Sequence, residues 1–457
     1  MTKKFSIQSL GCAKNLCDAE QMLARLFEAG YELVEDPDEA DIAIINTCTF
    51  IQDAKQESIE SILEFAKSRE TGKLKALVVT GCMAERYREE IFDTMPEVDA
   101  LVGTASYLDI VEVCDTLLAS AEAGTVEKTA RFAPIDDPII EAPRVQTTPQ
   151  YTAYIKIAEG CDNHCSYCVI PSIRGCYRSR TVEALTEEAK NLAAAGVKEL
   201  IVIAQDITRY GIDLYGEPSL ARLLREFAAI DGIEWIRLHY LYPSDITDDL
   251  IDEIANEPKI LKYLDIPIQH CSDRVLAAMN RRDTRASIED CLKTLRRRIP
   301  GICLRTTLIT GFPGETKEDF AELCDFVDRM KFDRLGVFPY SQEEGTPAAS
   351  LPDQIDEDEK VRRAETVMKI QERNVARRNV RLLGSHVTVL IEGYDRAAGC
   401  YFGRSACESP DIDGKIFIYK PAHARPAEGT FVDVVLKEDI DGDLVGALAD
   451  EEPIPQA

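Results

Sequence analysis

Strand-like apolar runs alternate with helix-patterned stretches twice over in this chain, and that rhythm constrains the fold more than any other feature. In the first hundred residues the runs Phe5 to Leu10, Ile42 to Ile45 and Leu77 to Thr80 are separated by helical patterns at 17–29, 53–68 and 84–94. This predicts a parallel α/β sheet. A cysteine follows each run: Cys12 in SLGCAKN, Cys48 in INTCTF and Cys82 in VTGCMA. In open parallel sheets the carboxyl ends of the strands form one edge where ligands bind, so loops far apart in sequence can bring three thiols together. The plain alternative is three small buried cysteines, since free Cys is among the most buried residue types.

From 120 to 146 the pattern lapses into a Pro- and acid-containing stretch without helix or strand period, which reads as a linker. Alternation then resumes, with strands near 152–158, 199–204, 234–239, 262–266, 303–310 and 334–338. Six strands at that spacing predict a partial (β/α)6 barrel with its chemistry at the carboxyl ends. The charged stretch 361–380 reads as a connecting helix. Beyond it, His386 to Glu392, Lys415 to Tyr419, Thr430 to Leu436 and Leu444 to Leu448 suit a small β-barrel. The fold class is therefore a multidomain α/β protein. Its expected parts are 3–119, the linker 120–146, the core 147–378 and the barrel 380–449.

The chain has 457 residues, with 53 Lys and Arg against 81 Asp and Glu, a formal net charge of −28. That balance opposes nonspecific attraction to phosphate backbones or anionic membranes. No window approaches the roughly 18 apolar residues of a membrane span, and acids interrupt the N-terminus before a signal-like core develops. A cytoplasmic protein is expected. Its fifteen cysteines are then kept reduced and read as metal or redox sites.

The sharpest local signal is EGCDNHCSYC, which spaces Cys161, Cys165 and Cys168 as CxxxCxxC after a strand. Three thiolates on one loop can hold three irons of a 4Fe-4S cluster and leave the fourth open. Structural zinc is the alternative, but it wants four protein ligands, and the nearest His is His164 inside the loop.

With these motifs in place the chain resembles the radical S-adenosylmethionine (SAM) superfamily, and within it the methylthiotransferases. Those enzymes carry a second 4Fe-4S cluster in an N-terminal α/β domain and a C-terminal β-barrel called TRAM. The resemblance implies that Cys161, Cys165 and Cys168 hold the SAM-binding cluster, and that Cys12, Cys48 and Cys82 hold the auxiliary one. It assigns SAM contacts to Tyr167, to Gln205 and Asp206 in AQDITRYG, and to Gly311, Gly314 and Glu315 in LITGFPGET. No catalytic residues are expected beyond the clusters. The residues alone leave Tyr167 open to a packing role and LITGFPGET to a plain strand-to-helix turn.

One branch of the family modifies adenosine in transfer RNA; another, the RimO type, modifies the β-carbon of an aspartate in the twelfth small-subunit ribosomal protein. IPSIRG at 170–175, WIRLHYLYP at 235–243, YLDIPIQH at 263–270 and GRSACESPDIDG at 403–414 resemble the second branch. Departures from its pattern are Thr49, Cys176, Tyr177 and Cys271. Over 385–457 there are 14 acids and 6 bases, an acidic barrel suited to a basic ribosomal protein and poorly suited to RNA; an ordinary solvated acidic surface is the plainer reading. Arg281, Arg282 and Arg285 and the run Arg296 to Arg298 are candidate RNA contacts, with solvated helix faces the preferred reading. His239 and His270 are candidates for the substrate pocket or for satisfied core histidines. The expected chemistry is radical, because no side-chain base removes a proton from such a carbon usefully at neutral pH. The implied partners are the ribosomal protein and a reductant such as flavodoxin or ferredoxin. The competing readings are a transfer RNA methylthiotransferase and an iron–sulfur electron carrier.

Overall fold

The computed structural model describes residues 2–450. Six parallel strands, Lys4–Ser9 (β1), Glu32–Leu33 (β2), Ile42–Thr47 (β3), Ala76–Gly81 (β4), Ala100–Val102 (β5) and Thr129–Arg131 (β6), form an N-terminal sheet in the order β2-β1-β3-β4-β5-β6. Every residue of β3 and β4 is buried, because helices cover both faces. Phe5, Ile42, Ile44 and Val78 pack one way against Leu23, Leu26 and Leu117. Ala43, Ile45, Leu77 and Val79 pack the other way against Ile62, Met83 and Ile91. Continuous apolar runs are what a doubly covered parallel sheet requires.

The helices differ in detail from the sequence reading. The first, Ala13–Glu28 (α1), begins directly after Cys12, which caps it in an extended conformation. The second is Gln52–Ala66 (α2). The expected helix at 84–94 is two short pieces, Cys82–Tyr87 (α3) and Glu90–Thr94, broken where Arg88 turns to φ +45°. An ion pair from Arg88 to Glu85 at 2.7 Å and stacking on Phe132 hold that turn. The segment 120–146 is not uniformly irregular, since β6 lies within it and pairs with β5.

The core is a second all-parallel sheet of Thr152–Lys156 (β7), Glu199–Ile203 (β8), Trp235–Leu238 (β9), Ile260–Asp265 (β10), Cys303–Thr310 (β11) and Arg334–Pro339 (β12), in sequential order. Side chains alternate across a strand. Ala153, Ile155, Leu200, Val202, Ile236 and Leu264 therefore face the helices in one large apolar cluster. The opposite face carries Tyr154, Lys156, Arg237, Tyr263, Asp265 and Arg305, a polar interior. Helix Glu357–Leu382 leads to a closed barrel of His386–Asp395, Cys400–Arg404, Ile416–Ile418, Phe431–Ile440 and Asp443–Leu448. Its strand Cys400–Arg404 was not legible in the sequence.

The loop 405–413 of this barrel reaches into the amino-terminal side of the core. Glu199, at the start of β8, accepts from Arg404 at 2.7 Å and from Arg237 at 2.8 Å. Arg334 pairs with Glu408 at 2.5 Å, Tyr263 donates to Asp413 at 2.8 Å, and Ser409 Oγ lies 2.9 Å from His239 Nε2. One of the six bases counted in the barrel, Arg404, is thus spent inside the protein. No helix among the described residues is long and apolar enough to cross a membrane.

Candidate functional site

Cys12, Cys48 and Cys82 come from the carboxyl ends of β1, β3 and β4, neighbours in the sheet. Asn15 of the GCAKN segment fastens this edge. Its amide donates to Leu10 O at 3.0 Å and Thr47 O at 2.8 Å, while its carbonyl oxygen accepts the Cys82 thiol at 3.7 Å. Gly11 sits at φ +84°, and a Cβ there would lie 2.5 Å from Cys48 Cβ and 2.8 Å from Cys48 Sγ, so the Cys12 and Cys48 loops touch only because residue 11 is glycine. The bare thiols sense one another. Burial, with Cys82 and Cys12 nearby, pushes Cys48 up to about 12. Burial also raises Cys82, against the pull of Arg174. At Cys12 burial opposes the thiolate, yet Lys14 and Arg174 overcome it and bring the thiol below its ordinary value.

The CxxxCxxC loop is held by the residues between its cysteines, each tied to a different part of the core. Asp162 accepts from Tyr177 N at 2.9 Å, and Asn163 donates to Asp206 at 2.8 Å. His164, at φ +47°, has its carbonyl bonded to Asn280 at 2.8 Å. Ser166 N donates to Met279 O at 2.9 Å and Ser166 O accepts from Ala348 N at 2.8 Å. This leaves the three thiols on one short arc. Burial pushes Cys161 up to about 11 and Cys168 to about 12. Among the described residues no three His, Cys, Asp or Glu side chains converge as a single metal ion would need. Two sets of three cysteines, each set mutually coupled and short of a fourth ligand, suit iron–sulfur clusters with an open iron, in which sulfide and several irons separate the thiolates.

The two sets share one interface. Cys82 packs on Val169, which follows Cys168 directly, and on Ile173 one helical turn further on. Beneath them lies a buried charge cluster absent from the sequence reading. Arg174, 3% exposed, donates to Asp18 at 2.7 Å, Glu159 at 3.0 Å and Asn15 at 2.5 Å, with Cys82 Sγ 3.7 Å away. Lys156 pairs with the same Asp18 and with Glu159 at 2.7 Å. The signal available was IPSIRG, a lone Arg ending an apolar run beside the third cysteine. Lys14, two residues past Cys12, was equally overlooked.

The expected SAM contacts divide. Tyr167 packs beside Val275, Met279, Phe312 and Tyr340. Gln205 donates to Glu159 at 2.9 Å while its buried Oε1 has no protein partner, an open acceptor at a strand end. Asp206 is buried and serves the loop through Asn163. Gly311 and Glu315 have contacts within the protein. A Cβ on Gly311 would lie 2.9 Å from Lys360 Cβ, so the glycine admits the long helix at 357–382. The Glu315 carboxylate is consumed by Gly311 N at 2.7 Å and Arg363 at 2.7 Å, which staples the turn. Gly314 sits at φ +77°, where a Cβ would meet Arg274 Nη1 at 3.8 Å, an ordinary contact, and its carbonyl accepts from Arg274 at 2.7 Å. His239 meets Ser409 of the barrel loop, and His270 accepts from Ser272 N at 2.9 Å with burial holding it down to about 4. Arg281 is not on a solvated face: it is buried against the Tyr242 ring, 4.0 Å from its centroid, and bonds Pro267 O at 2.9 Å.

Comparison with known proteins agrees with this architecture. Residues 4–103 match the uncharacterized protein family UPF0004, 155–327 the radical SAM superfamily and 383–448 the TRAM domain. Among solved structures, the radical S-adenosylmethionine methyltransferase TsrM from Kitasatospora setae, with cobalamin and a 4Fe-4S cluster bound, shares the fold with a TM-score of 0.57 at 15% identity, over 76% of this chain and 77% of its own. Ribosomal protein uS12 methylthiotransferase RimO from Geobacter sulfurreducens is 49% identical over 98% of both chains. The enzyme of that name from Lachnoclostridium phytofermentans is 50% identical over 97% of this chain and 99% of its own. Identity at this level across all three modules means that the chain belongs to the ribosomal protein uS12 methylthiotransferase RimO family.

Proposed function

We propose that this protein adds a methylthio group to the β-carbon of an aspartate in ribosomal protein uS12, using two 4Fe-4S clusters and SAM. The observation that carries the reading is the packing of Cys82 on Val169 and Ile173, which joins the edge bearing one cysteine set to the segment that follows the other. Cys161, Cys165 and Cys168 would hold the cluster that binds SAM, and Cys12, Cys48 and Cys82 the cluster that carries the sulfur. Bound there, the clusters and SAM supply a carbon-centred radical and a methylated sulfur for it to capture. The chain's own residues bind, orient and exclude water. The segment 3–119 presents the auxiliary thiols, 147–378 the radical loop, and 380–449 closes the amino-terminal side of the core, with 120–146 joining the first two. Tyr167, Gln205, Asp206 and Gly314 border the space for SAM. The ribosomal substrate sets the reaction in the cytoplasm, with flavodoxin or ferredoxin as the class of reductant.

The test is anaerobic incubation of reconstituted protein with SAM, reductant and uS12. Wild type gains iron for two clusters and returns uS12 heavier by one methylthio group. Replacing Cys12, Cys48 and Cys82 by Ala halves the iron and abolishes transfer, while SAM cleavage to 5′-deoxyadenosine persists. Methylthio found on transfer RNA and not on uS12 would reject the reading.

A further inference from the structure

Lys14 stands apart from the other buried cations where the N-terminal sheet meets the core. Lys156 and Arg174 are matched by Asp18 and Glu159, and Arg144 by Glu20 and Glu188. Lys14 is only 8% exposed, yet among the described residues no carboxylate pairs with it; its Nζ lies 3.6 Å from the centroid of the Tyr240 ring. A buried ammonium normally needs an anion, and a ring face returns only part of the hydration it has lost. Tyr240 is itself held at φ +63°, a conformation bulky residues rarely adopt. Its carbonyl accepts from Ile207 N at 3.0 Å and its amide faces Asp265 at 3.4 Å, so the strained residue is fixed on both sides. Such strain collects where function requires it.

The position matters as much as the missing partner. Lys14 follows Cys12 by two residues, and Tyr240 follows the end of β9 by two, so ammonium and ring meet across the gap between the N-terminal sheet and the core. Arg174 already lies against Cys82, which supplies positive charge to the thiolates from the other side. The substrate has a difficulty of its own: an acidic side chain must enter a molecule of net charge −28. A buried cation with no carboxylate partner among the described residues, at the junction of the N-terminal sheet and the core, reverses that field locally.

We propose that Lys14 is the specificity-determining residue of this site, its ammonium receiving the side-chain carboxylate of the substrate aspartate with Tyr240 as the wall beneath. This deepens the function proposed above and rests on it. A carboxylate is bonded directly to the β-carbon, so anchoring one places the other in the space between the thiol sets.

The test uses anaerobic holoenzyme and two uS12 peptides that differ only in Asp or Asn at the target position, with affinity read by fluorescence anisotropy. A charge-assisted contact predicts that wild type prefers the Asp peptide by roughly tenfold or more. Lys14→Met should bind both peptides equally with iron content unchanged, and Lys14→Arg should recover most of the preference. Equal binding of the two peptides by wild type overturns the proposal without any variant. So does a preference retained in Lys14→Met, or loss of auxiliary iron in that variant, which would make Lys14 a partner of the cluster. Failure of wild type to methylthiolate the Asp peptide and intact uS12 alike would instead overturn the function itself.

Discussion

Replacing Arg174 by Met removes one cation from a closed group of two cations and two carboxylates. In the native protein Arg174 and Lys156 face Asp18 and Glu159, and the group is neutral. Arg174→Met leaves two buried carboxylates on one ammonium and strips Asn15 of a donor. Breaking a buried pair from one side costs about 3–5 kcal/mol, because the stranded charge stays out of water. Asp18 lies on α1, whereas Glu159 and Lys156 belong to the core, so the loss falls on the joint between them. At about 2–4 °C per kcal/mol for a unit of this size, the first calorimetric transition should fall by roughly 10 °C. The decisive arm is Arg174→Met with Glu159→Gln, which returns the group to one ammonium and one carboxylate. It should regain much of the loss, although Glu159→Gln alone is destabilising. The reasoning is refuted if Arg174→Met melts within a degree or two of wild type, or if the second substitution simply adds its own cost.

Three further outcomes are expected. Gly11→Ala forces a Cβ onto Cys48 from a left-handed backbone, so iron bound through Cys12, Cys48 and Cys82 should be lost while 5′-deoxyadenosine formation survives; iron titration and product chromatography check this. Glu199 is buried, which opposes its charge, but Arg404 and Arg237 hold it down to about 2, so the stability it lends to barrel docking is complete above its unfolded value of roughly 4.3 and fades only as pH falls toward 2. Limited proteolysis between 357 and 405 across pH should show that window, and Glu199→Gln should release the barrel at neutral pH. Ser409→Ala removes the hydrogen bond to His239 and should loosen the same docking by about 1 kcal/mol, read as faster cleavage of the 405–413 loop.

Local chemistry made much of this protein legible. The CxxxCxxC loop is contiguous, so its three cysteines are visible as spacing. The triad Cys12, Cys48 and Cys82 is dispersed, yet each member follows a buried run, and a parallel sheet delivers all such ends to one edge. Tyr167, Gln205 and Glu315 could be named together as candidates for SAM, but the sequence did not show that the Glu315 carboxylate bonds Gly311 N and Arg363 while Gln205 Oε1 keeps no protein partner. The strand Cys400–Arg404 escaped because Gly403 interrupts its β-pattern.

Burial and charge pairing are where the sequence stops. With 53 cations and 81 anions in the chain, local order cannot say that Arg174 meets Asp18, that Arg404 meets Glu199, or that Lys14 lies on the Tyr240 ring with no carboxylate partner among the described residues. Ligand spacing and strand ends are properties of neighbouring residues, fixed by backbone geometry over a few peptide units. Which charge loses its water, and which partner compensates it, depends on surfaces hundreds of residues apart, and only their packing decides it.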